Sequence, residues 1–472
     1  MSARPKSRSI RLPRVVSRPI TATALAPLLL VLIFTSPQFC LGNWKAGTSQ
    51  VVITPRQPMS MAGYAARKTP SEGKVQDLHA KALALEDQAG TRLVIVTLDL
   101  IGVPRDMRTW LEEQVAEKYE LPRESLLLNA SHTHCGPELR LARVPEEGTD
   151  EEFEQRRELV EQYRNDLQEK LLVLVGDSLE AVQPAKLDYV QARCGFAMNR
   201  RRPTERGFIN SPHSTGPVDH RVPVLRVTDE EGGLRAVLFG YACHNTTLGF
   251  NFFCGDYAGY AQEYLEESHD GLTALFFMGC GGDQNPYPRS TLDLAKQHGR
   301  TLANAVEAAL LTVPRPLDGP LKLGYEEVDL VFAPPPTRED LVRLAAGTSE
   351  PSRGHARRLL AQMEEDGEIR GTYSYPVQGV KFGSELLMLA LAGETVVDYS
   401  LRLQEELAGP IVWVAGYSND VFGYVPSLRV LREGGYEGGG AMLWGSLPGP
   451  FAEDVEERIV SGIKRMVNQF SQ

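Results

Sequence analysis

The chain has 472 residues, of which 42% are hydrophobic and 24% are charged, and this composition is that of an ordinary globular protein. Its formal net charge of -11 at pH 7 argues against a nucleic-acid partner, because neutralising phosphates requires clustered lysine and arginine. The same charge argues against a general attraction to anionic membrane surfaces.

The first 42 residues have the order of a secretory signal peptide. A basic segment is followed by an apolar run from Thr21 to Thr35, and small residues then lead to Gly42. A membrane-spanning helix needs roughly 20 apolar residues, whereas this run is shorter and is interrupted by Pro27. We therefore predict cleavage after Gly42 and export of the mature chain, without a transmembrane segment. An uncleaved membrane anchor is the alternative.

Cleavage at that point leaves an odd number of cysteines, which cannot all pair within one chain. They are Cys135, Cys194, Cys243, Cys254 and Cys280. A disulfide between Cys243 and Cys254 is possible in an exported protein. Small buried thiols are the alternative.

Strand and helix patterns alternate after Gly42, which predicts an α/β fold with a mixed β-sheet core flanked by helices. We see no strong internal boundary, so residues 43–472 are predicted to form one domain. The predicted strands are 93–101, 126–129, 222–227, 234–242, 272–278, 386–392 and 411–415, with 222–227 and 234–242 forming a hairpin. The predicted helices are 105–120, 149–178, 395–407 and 452–469, and residues 338–368 are predicted to be a charged helical excursion.

Several predicted strands end directly in short polar loops. Ligand sites of α/β sheets gather at the carboxyl ends of strands, so these loops are expected to converge. The first loop contains His132 and His134, whose side chains would point to the same side of an extended chain. A neutral imidazole is the commonest zinc ligand, and a second histidine nearby can relay protons. Two hydrogen-bonded structural histidines are the alternative.

Four later positions have the same strand-end character or a suitable side chain. His244 follows strand 234–242, and its alternative is a satisfied core histidine. Glu394 follows strand 386–392, where a carboxylate can either bind a metal or stabilise the start of the next helix. Tyr424 and Tyr436, taken alone, would be half-buried aromatic residues with a hydrated hydroxyl.

A series of short motifs occurs in a fixed order through the chain, at 44–55, 61–64, 129–137, 243–247, 255–262, 282–283, 285–286, 393–394, 416–419, 423–424 and 436–437. In this order they resemble the neutral/alkaline non-lysosomal ceramidase family, from about Trp44 to the C-terminus. The ordered set is far more specific than any one motif. The resemblance implies a zinc-dependent amide hydrolase over residues 43–472, with a signal peptide over residues 1–42.

The resemblance also implies the roles of seven residues. The zinc ligands would be His132, His244, Glu394 and Tyr424. His134 would transfer protons, and Tyr436 and Arg200 would contact the reacting amide. Arg200 is the weakest of these assignments, because Arg201 and Arg202 follow it directly.

The chain also departs from the family. A serine that some animal members are proposed to use would fall near Gly279 and Cys280, where this chain has no serine. A mechanism based on metal and water survives that loss. The C-terminal immunoglobulin-like domain of the family is not expected after the catalytic region.

The expected reaction is hydrolysis of the N-acyl bond of a ceramide-like lipid to a fatty acid and a sphingoid base. A zinc hydrolase of another acylated amine or ester of the cell envelope is the first alternative. A secreted binding protein that keeps the fold without turnover is the second.

Overall fold

The structure is a computed structural model, and it describes residues 44–145, 148–445 and 447–470. The predicted signal peptide, residues 1–42, lies outside these described residues. The described residues all belong to one compact unit.

The strands of the described residues range from two to eleven residues in length. In the described residues they are β1 (Trp44–Val52), β2 (Gly73–Lys74), β3 (His79–Asp87), β4 (Arg92–Leu98), β5 (Leu126–Ala130), β6 (Gln183–Arg193), β7 (Ala197–Thr204), β8 (Gly207–His213), β9 (Arg221–Thr228), β10 (Leu234–Tyr241), β11 (Phe252–Phe253), β12 (Thr273–Met278), β13 (Gln284–Pro286), β14 (Arg315–Pro316), β15 (Leu321–Val331), β16 (Thr372–Phe382), β17 (Leu386–Leu391), β18 (Glu394–Thr395), β19 (Ile411–Ala415) and β20 (Tyr424–Val425).

The helices differ greatly in length, and the longest begins with a capping box between Thr149 and Glu152. In the described residues they are α1 (Arg105–Tyr119), α2 (Asp150–Glu180), α3 (Asp256–Ser268), α4 (Leu292–Leu310), α5 (Arg338–Ala345), α6 (Glu350–Asp366), α7 (Val397–Glu406), α8 (Leu428–Glu433) and α9 (Val455–Gln469). None of these helices has the length and apolar character needed to span a bilayer.

Two mixed sheets form the centre of the fold. The larger has the strand order β12-β10-β9-β6-β1-β3-β4-β5, with β14 paired to β6. The smaller has the order β15-β16-β17-β19. Parallel pairs occur in both sheets, namely β4 with β5, β10 with β12, and β17 with β19, and the other pairs of these two sheets are antiparallel.

The two sheets pack face to face over an apolar core. Trp44, Leu85 and Leu238 of the larger sheet pack there against Phe382 and Met388 of the smaller one. The outer face of the larger sheet is covered by α1 and α2 at one end and by α3 and α4 at the other. The outer face of the smaller sheet is covered by α7 and α9. The predicted α/β class with a mixed sheet core flanked by helices is confirmed, as a four-layer arrangement.

The burial of β17 explains why its sequence is apolar throughout. All six of its residues, Leu386 to Leu391, are buried, because one face of the strand contacts the other sheet and the opposite face contacts helices. The five cysteines of the described residues are all free and buried. The structure therefore has buried thiols at Cys243 and Cys254 and not the disulfide considered from the sequence.

Candidate metal centre

The candidate site lies where strands of both sheets end. His132 and His134 follow β5, His244 follows β10, and Glu394 follows β17. The two sheets are joined at this edge by backbone bridges between Asn129 and Ser418 and between Gly279 and Ala415. The expectation that polar loops at the strand ends converge is confirmed.

His132 reaches the site through an unusual backbone conformation. Strand β5 ends at Ala130, and His132 has a φ of 60°, in the left-handed region that residues other than glycine rarely adopt. His132 and His134 therefore do not lie on one side of an extended strand, and the geometry predicted from the sequence is wrong. The two rings still meet, with Nε2 of His134 3.2 Å from Nε2 of His132.

Backbone carbonyls orient the rings of His132 and His244. Nδ1 of His132 lies 2.6 Å from the Ile101 carbonyl oxygen, and Nδ1 of His244 lies 2.7 Å from that of Gly281. A carbonyl oxygen only accepts hydrogen bonds, so in the neutral rings the proton resides on Nδ1 and the lone pair on Nε2. Burial, followed by the positive charge of Arg200, lowers the pKa of His244 to about 3, so this ring is neutral at pH 7.

A two-stranded parallel pairing places Glu394 beside Tyr424. The two residues are direct partners in the register of β18 and β20, and the amide of Glu394 donates to the Gly423 carbonyl at 2.8 Å. Helix α7 begins after Val396 and has no side-chain cap. Helix capping, the structural alternative for Glu394, is therefore wrong.

The atoms that face one another here are suited to a cation. Oε2 of Glu394 is buried without a hydrogen bond to any described residue, although Nε2 of His132 and Nε2 of His244 each lie 3.2 Å from it. Two imidazole lone pairs directed at a carboxylate repel one another when nothing positive lies between them. A divalent metal ion bound by all three groups removes this repulsion, so the residues present fit such an ion.

The spacing of the candidate ligands also fits. Nε2 of His244 lies 3.1 Å from the hydroxyl oxygen of Tyr424, which adds a fourth group. Two ligands about 2.0 Å from a tetrahedral zinc ion lie about 3.3 Å from each other. The three separations of 3.2, 3.2 and 3.1 Å in this set are close to that value.

His134 is the third member of a buried histidine group. The ligand atoms of His132, His134 and His244 all lie within 4.8 Å of one another, so these three side chains can also hold a metal ion. Burial, with contributions from His132 and His244, holds the pKa of His134 well below its usual value. Its Nδ1 is buried without a hydrogen bond to described residues, and the ring packs edge-on against Tyr64 at 4.8 Å.

Arg200 extends from β7 into the same site and is 4% exposed. Its Nη2 donates to the Tyr424 hydroxyl oxygen at 2.8 Å, and its Nε donates to Oε1 of Glu437 at 2.8 Å. Its Nη1 lies 3.2 Å from Oδ1 of Asn285. Burial lowers the pKa of Arg200. The interactions of its guanidinium with Tyr424 and Glu437 outweigh this effect and raise the pKa well above its usual value.

Tyr436 lies on the open side of the site, with 43% of its surface exposed. The centre of its ring is 5.2 Å from that of Tyr424. Its hydroxyl has no hydrogen bond to any described residue, so the group is free to contact a bound molecule. Burial and the charge of Glu394 raise the pKa of Tyr436, so the hydroxyl is protonated and can donate at neutral pH.

Three contributors to the site received no role from the sequence. Tyr417 has a φ of 52°, and its ring centre lies 4.5 Å from that of His132. Glu437 and Asn285 bind Arg200 as described above. All three belong to motifs that carried the resemblance, but nothing in their sequence separations shows which side chain they contact. Cys280 belongs to the core beneath α7.

The fold and the site together define an α/β protein with a buried histidine group that can hold a metal ion. Residues 44–278 match the family model for the N-terminal part of the neutral/alkaline non-lysosomal ceramidases. This stretch of the chain belongs to that family. No curated protein sequence is significantly similar to the chain.

Two solved structures share the fold. A neutral ceramidase from Pseudomonas aeruginosa superposes with a TM-score of 0.67 and 19% sequence identity, covering 88% of this chain and 72% of that one. A ceramidase complexed with C2 gives a TM-score of 0.68 and 16% identity, covering 90% of this chain and 76% of that one. At these identities the likeness establishes the fold.

Proposed function

We propose that the protein is a zinc-dependent amidase that hydrolyses the N-acyl bond of a ceramide-like lipid, giving a fatty acid and a sphingoid base. Family membership supports the reaction class. The proposal rests on one observation in the described residues. Nε2 of His132 and Nε2 of His244 each lie 3.2 Å from Oε2 of Glu394, which has no hydrogen bond there. Burying such a set of donor atoms costs free energy unless a metal ion binds to them.

In this proposal His132, His244, Glu394 and Tyr424 hold the zinc ion. When bound, zinc supplies Lewis acidity, which polarises an amide carbonyl and lowers the pKa of water towards about 7. Burial raises the pKa of the Tyr424 hydroxyl well above its usual value, and Arg200 opposes this increase. The hydrogen bond from Arg200 therefore helps Tyr424 to act as an oxygen ligand with anionic character.

His134 is the proposed proton carrier. Its ring is neutral at pH 7 because burial and the neighbouring histidines lower its pKa, so Nε2 can accept a proton from the attacking water. The protonated ring can then donate that proton to the leaving amine. General acid-base catalysis of this kind contributes about 10²- to 10⁴-fold to a rate.

Tyr436 is the proposed donor to the developing oxyanion, because its hydroxyl is protonated, free and on the open side of the site. One such donor is worth about 3 kcal/mol in the transition state. Arg200 was expected to act as a second donor. Its contacts favour a positioning role through Tyr424, since Nε and Nη2 already bind Glu437 and Tyr424.

Export through an N-terminal signal peptide remains part of the proposal. The substrate would then be met outside the cytoplasm, where an acylated amine or ester of the cell envelope is the alternative substrate for the same zinc centre. A secreted binding protein with the same fold is the alternative without catalysis.

The deciding experiment is metal analysis of the purified protein together with amidase assays on ceramide. We expect about one zinc ion per chain, lost in His132→Ala and in Glu394→Ala together with activity. His269→Ala is the matched control, because His269 pairs with Glu307 at 2.8 Å, outside this site. A folded protein without metal and without amidase activity would support the binding protein instead.

A further inference from the structure

Two arginines lie on the segment that follows the histidine pair. Nε and Nη2 of Arg140 donate to the carboxylate of Glu138 at 2.7 and 2.8 Å, forming a two-bond ion pair. This pair leaves Nη1 of Arg140 without a hydrogen bond in the described residues. Arg143 follows in the short 3-10 turn Leu141–Arg143.

Arg143 is a largely covered cation that has no counter-ion among the described residues. Its guanidinium makes no hydrogen bond or ion pair with any residue in the described ranges. Burial, followed by repulsion from Arg140, lowers its pKa to about 10. An arginine held in this way is stabilised by an anion that binds to it from outside the chain.

A third arginine holds the backbone of residues 443–445, which lies close to Arg143. Arg358 of α6 donates from Nε to the Gly445 carbonyl at 3.0 Å and from Nη2 to the Leu443 carbonyl at 2.8 Å. Nη2 of Arg143 faces this turn as well, 3.8 Å from the position that a Cβ on Gly445 would occupy. We call Arg140, Arg143 and Arg358 the arginine cluster.

The arginine cluster borders the open side of the candidate metal centre. The turn Gly440–Trp444 that it contacts is tied to Tyr436, because the amide of Ala441 donates to the Tyr436 carbonyl at 2.8 Å. Tyr436 is close enough to Arg140 and Arg143 to influence the pKa of both, and the charge of Glu394 raises the pKa of Arg140. A molecule that contacts the Tyr436 hydroxyl therefore has positive charge beside it.

We propose that the substrate carries an acidic group, a carboxylate or a phosphate, on the amine side of the scissile amide, and that Arg143 and the free Nη1 of Arg140 bind it. Planar guanidinium groups bind both oxyanions through paired, charge-assisted hydrogen bonds. This inference rests on the proposed amidase function and specifies its substrate class. The overall charge of -11 makes a positive cluster here a local feature and not a general one.

The test uses two matched pairs of substrates with the zinc-loaded protein. One pair is an N-dodecanoyl amino acid and its methylamide, and the other is ceramide 1-phosphate and ceramide. We expect kcat/KM to be at least about tenfold higher for the acidic member of one pair, which also identifies the source of the anion. One charged hydrogen bond is sufficient for a factor of this size.

Variants show whether Arg143 is responsible. Arg143→Gln should reduce the acidic-to-neutral ratio of kcat/KM about tenfold, mainly through KM, and Arg143→Lys should restore part of the ratio. Arg157→Gln is the control, because Arg157 lies on α2 and its ion pairs with glutamates are long, at 3.9 and 4.0 Å. Circular dichroism establishes that each variant is folded.

Equal or better turnover of both neutral substrates would overturn the inference, as would an Arg143→Gln variant that keeps the wild-type ratio. If none of the four substrates is cleaved, the proposed function has failed, and calorimetry with dodecyl phosphate tests the anion site alone. Binding that weakens about tenfold in Arg143→Gln supports the site. Absence of binding, or binding unchanged in the variant, rejects it.

Discussion

Nη2 of Arg200 donates a 2.8 Å hydrogen bond to the hydroxyl oxygen of Tyr424, from a side chain that is almost completely buried. Glu437 holds the guanidinium in this orientation through Nε, and the same carboxylate receives a second bond from Arg201 at 2.6 Å. Groups that orient a metal ligand contribute strongly to metal affinity. The ion pair of Arg200 and Glu437 is therefore expected to support the zinc site without touching the ion.

Glu437→Gln tests this support. Loss of the carboxylate charge frees Arg200 to turn away from Tyr424, and we expect zinc affinity to fall about 10- to 100-fold. Competition with a chromophoric chelator measures the affinity. Glu433→Gln is the control, since Glu433 pairs with Arg201 and Arg429 but not with Arg200. Equal affinities in the two variants would contradict the support role.

Asn129 joins the two edges of the larger sheet to the smaller sheet. Its Oδ1 accepts from the amide of Met278 at 2.7 Å, and its Nδ2 donates to the Gly416 carbonyl at 2.8 Å and to Oγ of Ser418 at 3.1 Å. The side chain is fully buried. It thus adds side-chain hydrogen bonds to the backbone bridges at the point where β5, β12 and the loop after β19 meet, shortly before the histidine pair.

Asn129→Leu should lower the free energy of unfolding by about 3 kcal/mol or more, because several buried groups lose their partners at once. Guanidinium denaturation followed by circular dichroism measures the change. Asn251→Leu provides the comparison, because Asn251 makes an exposed bond to Thr69, and a change of about 0.5 kcal/mol or less is expected there. Similar losses in both variants would argue against a special role for Asn129.

The elements that could be predicted from the sequence are those buried on both faces or amphipathic along one face. Strand β17 and helix α2 lie close to their predicted limits, because their patterns follow directly from burial. Strand β15 was not predicted. Most of its residues are only partly buried, so its sequence lacks a clear pattern, and its pairing with β16 decides its structure.

The same distinction applies to the site. His132, His244 and Glu394 could be located because each follows an apolar strand, and strand ends converge. The neighbours of Arg200 could not, because Glu437 is 237 positions away in the chain. The pairing of Glu394 with Tyr424 depends on two strands of only two residues each, which have no recognisable pattern.

His134→Ala separates a proton carrier from a metal ligand. We expect the variant to retain one zinc ion per chain and to lose about 10²- to 10⁴-fold in kcat, as for removal of a general acid-base group. Metal analysis and amidase kinetics on the same sample measure both effects, and His132→Ala is the reference for a lost ligand. Loss of zinc from His134→Ala would instead make the three-histidine group the metal site.

Gly63 keeps the ring of His134 in place through close contact. Its φ is 103°, and a Cβ added there would lie 2.4 Å from Cγ of His134. Gly90 has a comparable φ of 82° but no atom within 4 Å of the added Cβ. Substituting alanine at either position imposes the same kind of backbone strain, about 1 kcal/mol. Only the change at Gly63 also displaces the imidazole.

We therefore expect Gly63→Ala to lower kcat about tenfold or more beyond Gly90→Ala, because small displacements of a reacting group are costly in rate. Zinc content should be unchanged in both variants, since the atoms nearest to a Cβ added at Gly63 all belong to His134 and a Cβ added at Gly90 meets nothing within 4 Å. Thermal denaturation measures the shared strain, and single-turnover kinetics measure the chemical step. If Gly63→Ala turned over substrate as fast as Gly90→Ala, the position of the His134 ring would not limit catalysis, and its role as proton carrier would be refuted.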